Sequence, residues 1–314
     1  MKQTLITVAL TAGLALTALA EPKKVLVVTT TTGFRHSSIP TAEKILGMLA
    51  EKSGAFTVDY VHQPEGKPNL RRPNAPKPDA NEAAKAKYKE ELAKYEADAA
   101  AAKPLEAAWN EKLKQELSKL SKENLKKYDA VIFANTTGDL PLPDPQAFID
   151  WVKEGHGFVG MHSASDTFHK FPPYLDMLGG EFETHKAQVS VDAINQDSGC
   201  AACKHLSANW TVFDEIYIIK NFNRSTMHGL LTLNAHPNTK VPGDYPIAWK
   251  KDFGKGRVFY TSLGHREDLW DTETPENFKR SNSKENAEAY QKHILGGIRW
   301  ALGLENCDAK PQGK

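Results

Sequence analysis

The sequence has no excess of charge of either sign. Of its 314 residues, 40 are basic and 39 are acidic, so it offers no electrostatic footprint for nucleic acid. Its length suits one large α/β domain, because a core of that size needs no disulfide framework for stability. We therefore expect a small molecule or another protein as partner.

Apolar runs long enough to span a bilayer are also missing. Residues 5–19 are apolar or small, but a spanning helix needs roughly 20 residues. Lys2 precedes this run, and Ala18-Leu19-Ala20 ends it. The pattern predicts a signal peptide over residues 1–20, with a retained anchor as the alternative. The mature protein is then exported, periplasmic or secreted, without stable membrane insertion.

Cysteine is scarce, with three in the chain. Cys200 and Cys203 have the spacing of a redox pair or half a zinc site, but there is no second C-x-x-C. We interpret them as a small local disulfide, with an oxidoreductase motif as the alternative. Cys307 lies in the last residues, 306–314, which are predicted to be a flexible tail.

Strand and helix patterns alternate over residues 21–305, which predicts a sheet covered on both faces. The predicted strands are residues 24–30, 56–61, 128–134, 157–161, 188–193, 213–219, 229–233, 246–250 and 257–262. Helices are predicted at residues 38–50, around 148–152 and at 284–301. The first half indicates an α/β fold with a mainly parallel sheet.

Residues 63–125 interrupt this alternation and predict an inserted helical arm. Their second part, 81–122, is dominated by Ala, Lys and Glu, which favours one or two solvated helices, broken near Pro104. Four apolar residues form a docking stripe: Leu105, Trp109, Leu113 and Leu117. Packing on the domain is the preferred role, and homo-oligomerisation or scaffolding through the arm is the alternative.

Histidines follow several predicted strands where those strands end. His36, His162 and His265 lie in loops after strands far apart in sequence, and ligands of open parallel sheets bind at the carboxyl ends of the strands. Three histidines arriving at one crevice indicate a functional site.

Six segments, in order along the chain, resemble the landmarks of the ThuA-like (trehalose utilisation) family. They are GFRH at 33–36, GMHSASD at 160–166, GGEFETH at 179–185, DEIY at 214–217, PIAW at 246–249 and GRVFYTSLGH at 256–265. The resemblance implies a flavodoxin-like, doubly wound sheet of the class I glutamine amidotransferase-like superfamily. It also implies a link to carbohydrate metabolism.

Amidotransferases of this fold place a cysteine nucleophile in a Gly-x-Cys-x-Gly elbow. The matching turn here begins at Gly160 and has His162 in the place of that cysteine. Glutamine hydrolysis is therefore excluded for want of a thiolate at the elbow. Ser163 stands beside the elbow position, which disfavours it as a nucleophile.

The histidines suggest a metal site assembled from separate loops. The predicted ligands are His36, His162, His185 and His265, and Glu215 could add a carboxylate for a divalent ion such as zinc or manganese. No H-E-x-x-H motif is present. A metal-free polar pocket, in which histidines exchange protons with a sugar, is the competing interpretation.

A sugar site needs flat apolar faces beside directional polar groups. The candidate platforms are Phe34, Trp249 and Trp270, with core packing an equal alternative for Trp249. The candidate polar contacts are Arg35, Asn135, Asp166, Arg266 and Glu267. Gly264 is expected where the backbone needs positive φ or a close approach beside His265.

Together these features predict an enzyme that acts on a sugar or keto-sugar. The chemistry would be proton abstraction next to a carbonyl, followed by isomerisation or cleavage, with metal assistance where a metal is bound. His162, His265 and Glu215 are the predicted catalytic residues. The alternative is a carbohydrate-binding protein without turnover that uses the same crevice.

Overall fold

A large mixed sheet organises the chain in a computed structural model that describes residues 21–275 and 277–313. The predicted signal peptide lies outside these residues. Within them, no helix combines the length and the apolar character that crossing a membrane requires.

The strands and helices alternate through the first half, and strands dominate the second. The strands are β1 Lys23–Val28, β2 Phe56–Val61, β3 Ala130–Ala134, β4 Gly157–Met161, β5 Glu181–Thr184, β6 Val189–Asn195, β7 Asn209–Asp214, β8 Ile218–Lys220, β9 His228–Ala235, β10 Pro242–Phe253 and β11 Gly256–Thr261. The α-helices are α1 Ile39–Ser53, α2 Glu82–Leu117, α3 Lys122–Leu125, α4 Pro145–Lys153, α5 Pro172–Leu178, α6 Glu267–Trp270 and α7 Lys284–Ala301. Short 3₁₀ turns occupy Ser118–Leu120 and His162–Asp166.

The main sheet has two halves of different direction. Its strand order is β2-β1-β3-β4-β11-β10-β9-β6-β7, and β5 pairs separately with β8. The pairs from β2 to β11 are parallel, and those from β11 to β7 are antiparallel. The expected mainly parallel sheet is therefore limited to the first half. A tight turn at Gly254 and Lys255 joins β10 to β11, and so short a connection requires antiparallel strands.

Both faces of the parallel half are buried. Val25 and Val27 of β1 point to one hydrophobic cluster with α1 and α7, whereas Leu26 and Val28 point to another with α2, α4 and α5. This double burial explains why the strands are continuous apolar runs in the sequence.

Local patterns predicted β4 and α7 with the bounds that the structure shows. The segment 213–219 differs, because it divides into the end of β7 and the start of β8. Between them, Glu215 to Tyr217 leave the sheet, and Glu215 and Tyr217 line a cavity. The break between β7 and β8 therefore places the Glu215 carboxylate and the Tyr217 side chain at the cavity, although the sequence there has a strand pattern.

The arm is one long helix, not a broken pair. α2 continues through Pro104 for 36 residues, although an internal proline costs about 3 kcal/mol. Strong helix formers surround Pro104, and the end of α2 packs on the domain through Trp109, Leu113 and Leu117. Leu105, expected in the same stripe, is 64% exposed. The docking surface therefore begins one turn later than predicted.

The cysteine pairing also differs from the expected one. The disulfide joins Cys200 to Cys307, whose Cα atoms are 5.3 Å apart, and Cys203 is a free, buried thiol. Its Sγ points to the carbonyl of Leu230, because the turn that follows Cys200 directs the two side chains apart. The tail expected to be flexible is thereby tied to the domain.

Replacing Leu113 with alanine should lower the free energy of unfolding by about 2–5 kcal/mol, because it empties a fully buried site. Leu105→Ala, on the same helix, is the matched control and should change it by less than about 0.5 kcal/mol. Urea denaturation of both variants measures the difference. Equal effects would contradict the docking surface described here.

Candidate functional site

A cavity of about 250 Å³ opens beyond the carboxyl ends of the parallel strands. It is lined by Phe34, His36, Asp166, Phe182, His185, Glu215, Tyr217 and His265. The buried ring of His162 packs against Tyr217 at 4.4 Å between centroids, with the ring planes tilted by 33°. The position agrees with the general location of ligand sites in α/β sheets.

His162 occupies a strained turn directly after β4. Its φ is 48°, which is uncommon for a residue with a side chain. The Tyr260 hydroxyl donates a hydrogen bond of 2.7 Å to the His162 carbonyl. A Cβ at Gly160 would lie 3.0 Å from side-chain atoms of Leu178 and Tyr260, so packing around the turn leaves little room for a larger residue there. This is the geometry of a nucleophile elbow that presents an imidazole.

The hydrogen bonds of His162 determine its tautomer. Its Nδ1 lies 2.8 Å from the Ser262 carbonyl, which can only accept, so Nδ1 carries the proton. Nε2 therefore presents a lone pair, 3.2 Å from Nε2 of His36. Burial lowers the pKa of His162 well below its ordinary value, and the ring is neutral at neutral pH.

His36 faces His162 as a second neutral imidazole. Burial, with a smaller contribution from His265, lowers the pKa of His36 to about 4. Its Nδ1 lies 3.3 Å from the Ser163 hydroxyl. With Nδ1 donating to that oxygen, the Nε2 lone pairs of the two histidines face each other, an arrangement that a cation between them would stabilise.

Glu215 lies between two further histidines. Its Oε1 is 2.9 Å from Nδ1 of His185, and its Oε2 is 3.1 Å from Nδ1 of His265. Burial opposes charge on His265, but the carboxylate outweighs burial and raises the pKa of that imidazole. Glu215 is the charged partner of His265 Nδ1, but the contact does not have the geometry of a hydrogen bond.

The carbonyl of Gly264 fixes the loop that carries His265. It accepts hydrogen bonds from Ser38 Oγ at 3.1 Å, Asn135 Nδ2 at 2.9 Å and Trp270 Nε1 at 2.8 Å. The Gly264 amide donates to Asp214 Oδ2 at 2.7 Å. Its φ is +126°, and a Cβ would lie 2.8 Å from the Tyr290 hydroxyl. Both expectations for Gly264, positive φ and close approach, are met.

The donor set fits a divalent metal ion. One ligand atom from each of His36, His162, His265 and Glu215 lies within 4.8 Å of all the others. Tetrahedral zinc with nitrogen ligands at 2.0–2.1 Å would separate those nitrogens by about 3.4 Å, close to the 3.2 Å between His36 and His162. His185 contacts Glu215 from outside this set, as residues that orient metal ligands do.

Comparison with known proteins gives the family. The ThuA family model, described as trehalose utilisation, matches residues 75–301. The chain belongs to the ThuA family. That membership confirms the family resemblance, with five of the six segments inside the matched residues and the segment at 33–36 outside them, and links this protein to carbohydrate metabolism. None of the curated proteins compared with the sequence matches it.

Two solved structures of ThuA-like proteins share the fold. One, from Parabacteroides merdae ATCC 43184, is 18% identical, with 91% of this chain and 92% of that chain covered and a TM-score of 0.58. Another, from Bacteroides uniformis ATCC 8492, is also 18% identical, with 92% and 95% covered and a TM-score of 0.54. At such identity the likeness establishes a mixed α/β fold alone.

The structure brings only some of the predicted substrate contacts of this ThuA protein to the cavity. Phe34 and Asp166 line it. Arg35 instead donates to the Thr29 carbonyl at 2.9 Å, and Arg266 pairs with Asp268 at 2.8 Å.

Three other predicted contacts are fully buried: Asn135, Trp249 and Trp270. Trp249 donates to the Leu178 carbonyl and packs on Tyr260, so core packing is its role. Asn135 and Trp270 support the loop of Gly264 and do not line the cavity.

Sequence reasoning missed several residues of the site. Phe182 and Tyr217 form aromatic walls, and Asp214 positions the His265 loop by accepting from its backbone. Burial raises the pKa of Asp214 to about 6. These residues stood inside the segments 179–185 and 214–217, whose family resemblance was the available signal.

Replacing Gly264 with alanine should reduce the stability of this ThuA protein by about 2–5 kcal/mol, since strain at positive φ adds to crowding against Tyr290. The control is Gly303→Ala, which also has positive φ but open space around it. There we expect a loss of about 1–2 kcal/mol. Thermal or urea unfolding compares them, and similar losses would argue against the crowded loop.

Proposed function

We propose that this ThuA-family protein is an enzyme that acts on a sugar or keto-sugar. In it, His36, His162, His265 and Glu215 hold a divalent metal such as zinc or manganese. The observation that carries the proposal is the convergence of these four donors at a cavity with aromatic walls. The family's description, trehalose utilisation, supports the substrate class.

We also propose a flavodoxin-like, doubly wound arrangement for the parallel half. Its strand order, β2-β1-β3-β4-β11, has the pattern of that fold, and helices cover both faces. The elbow at His162 supports the same relation, because it follows a central parallel strand.

The shape of the cavity favours a single sugar ring. Its volume of about 250 Å³ is below the roughly 300–1,000 Å³ of pockets for drug-sized ligands. Phe34 is 66% exposed, and Phe182 and Tyr217 add further aromatic surface. Apolar ring faces of a pyranose pack on such surfaces, while its hydroxyls bond to carboxylates and imidazoles.

Two polar side chains of the cavity, Asp166 and His185, lie outside the proposed metal ligands and are placed to transfer protons. Asp166 lines the cavity, and its Oδ1 is 2.6 Å from Nε2 of His169, which orients the carboxylate. We assign Asp166 as the base that removes a proton from the carbon beside a carbonyl. His185, half-exposed, is placed to exchange a proton with a substrate hydroxyl.

A divalent metal supplies Lewis acidity, which favours negative charge on a carbonyl oxygen during proton abstraction. The protein contributes neutral imidazoles at His36 and His162, and the Glu215 carboxylate offsets part of the metal charge. His162, His265 and Glu215, predicted as catalytic, thus act in this proposal by holding the metal.

Turnover tests the function directly. The purified chain, loaded with zinc or manganese, is incubated with glycosides and their keto derivatives in D₂O, with and without chelator. We expect deuterium incorporation or a cleaved product that disappears with chelator. Micromolar saccharide binding that is insensitive to chelator, without product, would instead support a carbohydrate-binding protein, which the exposed Phe34 also suits.

Substitution separates metal binding from proton transfer. His162→Ala should abolish both metal content and turnover. Asp166→Asn should keep the metal but reduce kcat by about 10²–10⁴-fold. The control is His293→Ala, since His293 is equally buried but bonds only to the Ala202 carbonyl, and it should keep the metal. Full metal content in the His162 variant would refute the ligand assignment.

Metal affinity should depend on pH through His265. Glu215 holds the pKa of His265 above its ordinary value of 6.5, so one proton must leave as the metal binds. Affinity should therefore rise about tenfold per pH unit below that raised pKa and level off above it. His36 adds nothing to this pH dependence near neutral pH, because its pKa is about 4 and the ring is already deprotonated there. Competition with a chromophoric chelator measures the slope, and a flat profile would count against His265 as ligand.

A further inference from the structure

A buried lysine lies against the disulfide in the antiparallel half of the sheet. Lys250 on β10 has no exposed surface, and its Nζ is 2.8 Å from Cys307 Sγ and 3.2 Å from Cys200 Sγ. The same Nζ donates to Asp197 Oδ2 at 3.0 Å. None of these residues lines the histidine cavity.

The position of the ammonium favours the reduced form of the cysteines. A disulfide sulfur is a weak hydrogen-bond acceptor, so Asp197 is the strong partner of Lys250 while the bond is intact. A thiolate at the same distance would accept a charge-assisted hydrogen bond and be stabilised by the cation. Stabilising the reduced thiols makes a disulfide easier to reduce.

The charge of Lys250 is only partly neutralised by its neighbours, so it can also stabilise a thiolate. Asp197 is shared, since it also contacts His228 Nε2 at 2.9 Å. The Trp300 ring lies 5.6 Å from Nζ and adds a cation–π contact. The remaining thiol, Cys203, has its pKa raised to about 12 by burial, so it stays protonated and is not an exchange partner.

We propose that Cys200–Cys307 is a reversible redox bond that exchanges with dithiol reductants, and that Lys250 is the residue that makes its cleavage favourable. Cys307 is partly exposed, whereas Cys200 is fully buried, so the attacking thiolate reaches Cys307 Sγ. A new bond forms between the reductant and Cys307, and Cys200 leaves as a thiolate beside Lys250.

The second thiol of the reductant then completes the exchange. It attacks the reductant sulfur of the mixed disulfide and releases Cys307 as a thiol or thiolate. Two electrons pass to the protein, the reductant leaves as its own cyclic disulfide, and its two protons go to the cysteines or to solvent.

Cleavage releases a C-terminal strap, residues 304–313, from its only covalent cross-link in the described part of the chain. Its remaining ties are noncovalent. They include hydrogen bonds from His228 Nδ1 to the Lys310 carbonyl at 2.8 Å and from the Gln312 backbone N–H to the Met227 carbonyl at 3.1 Å, the Arg299–Glu305 ion pair at 3.0 Å and the packing of Ala309 on the core. We expect a glutamate-specific protease to cut after Glu305, between Glu305 and Asn306, faster in the reduced protein.

The test is a redox titration of the purified chain in dithiothreitol and dihydrolipoate buffers, each mixed with its cyclic disulfide, with thiols trapped by alkylation and counted by mass spectrometry. Lys250→Met should lower the equilibrium constant for reduction about tenfold or more. Lys251→Met is the matched control, because Lys251 is the neighbouring, nearly buried lysine and bonds to the Asp176 carbonyl instead. The equilibrium constant for reduction of the Lys251→Met variant should stay within about twofold of that of the natural chain.

An unchanged equilibrium in the Lys250 variant would overturn the role of the lysine. A disulfide that resists both buffers until the natural chain is unfolded would overturn the exchange itself, and this result needs no variant to fold. A strap equally protected before and after reduction would overturn its release. Since the readout is thiol content and proteolysis, none of these outcomes depends on turnover at the histidine cavity.

Discussion

The hydrogen bonds to the Gly264 carbonyl connect the elements on which the histidine cavity depends. Ser38 beside α1, Asn135 after β3 and Trp270 of α6 all donate to that one oxygen. Asp214 at the end of β7 holds the adjoining amide. An oxygen shared by three donors tolerates little displacement, and the position of His265 therefore follows from the packing of four separate elements.

Burial and charge divide the histidines of the site into two kinds. At His36 and His162 burial outweighs the nearby Glu215 carboxylate, whose Oε2 is 3.9 Å from Nε2 of His162, and the pKa values of both rings are lowered. His265 is also buried in part, but Glu215 raises its pKa. The neutral imidazoles and the Glu215 carboxylate together form a mixed nitrogen and oxygen donor set. The strained turn after β4 thus carries the neutral imidazole of His162 near the Glu215 carboxylate.

The two halves of the main sheet carry different chemistry. The parallel half ends in the loops of His36, His162 and His265, because the carboxyl ends of parallel strands meet at one edge. The antiparallel half holds Lys250 beneath the Cys200–Cys307 bond and receives the C-terminal strap. Family membership spans both halves, whereas the site uses mainly the loops of the first half together with Glu215.

The sequence by itself determined β4, α7, three of the four predicted docking residues of α2 and the loops that carry three histidines, because the burial periodicity of strands and helices is a local property. Residues 1–20 still predict export. Tertiary structure alone decided that Cys200 pairs with Cys307, that Trp249 belongs to the core and that His185 lies outside the donor set of three histidines and Glu215. These outcomes depend on distances between residues remote in sequence, and no local pattern encodes such distances.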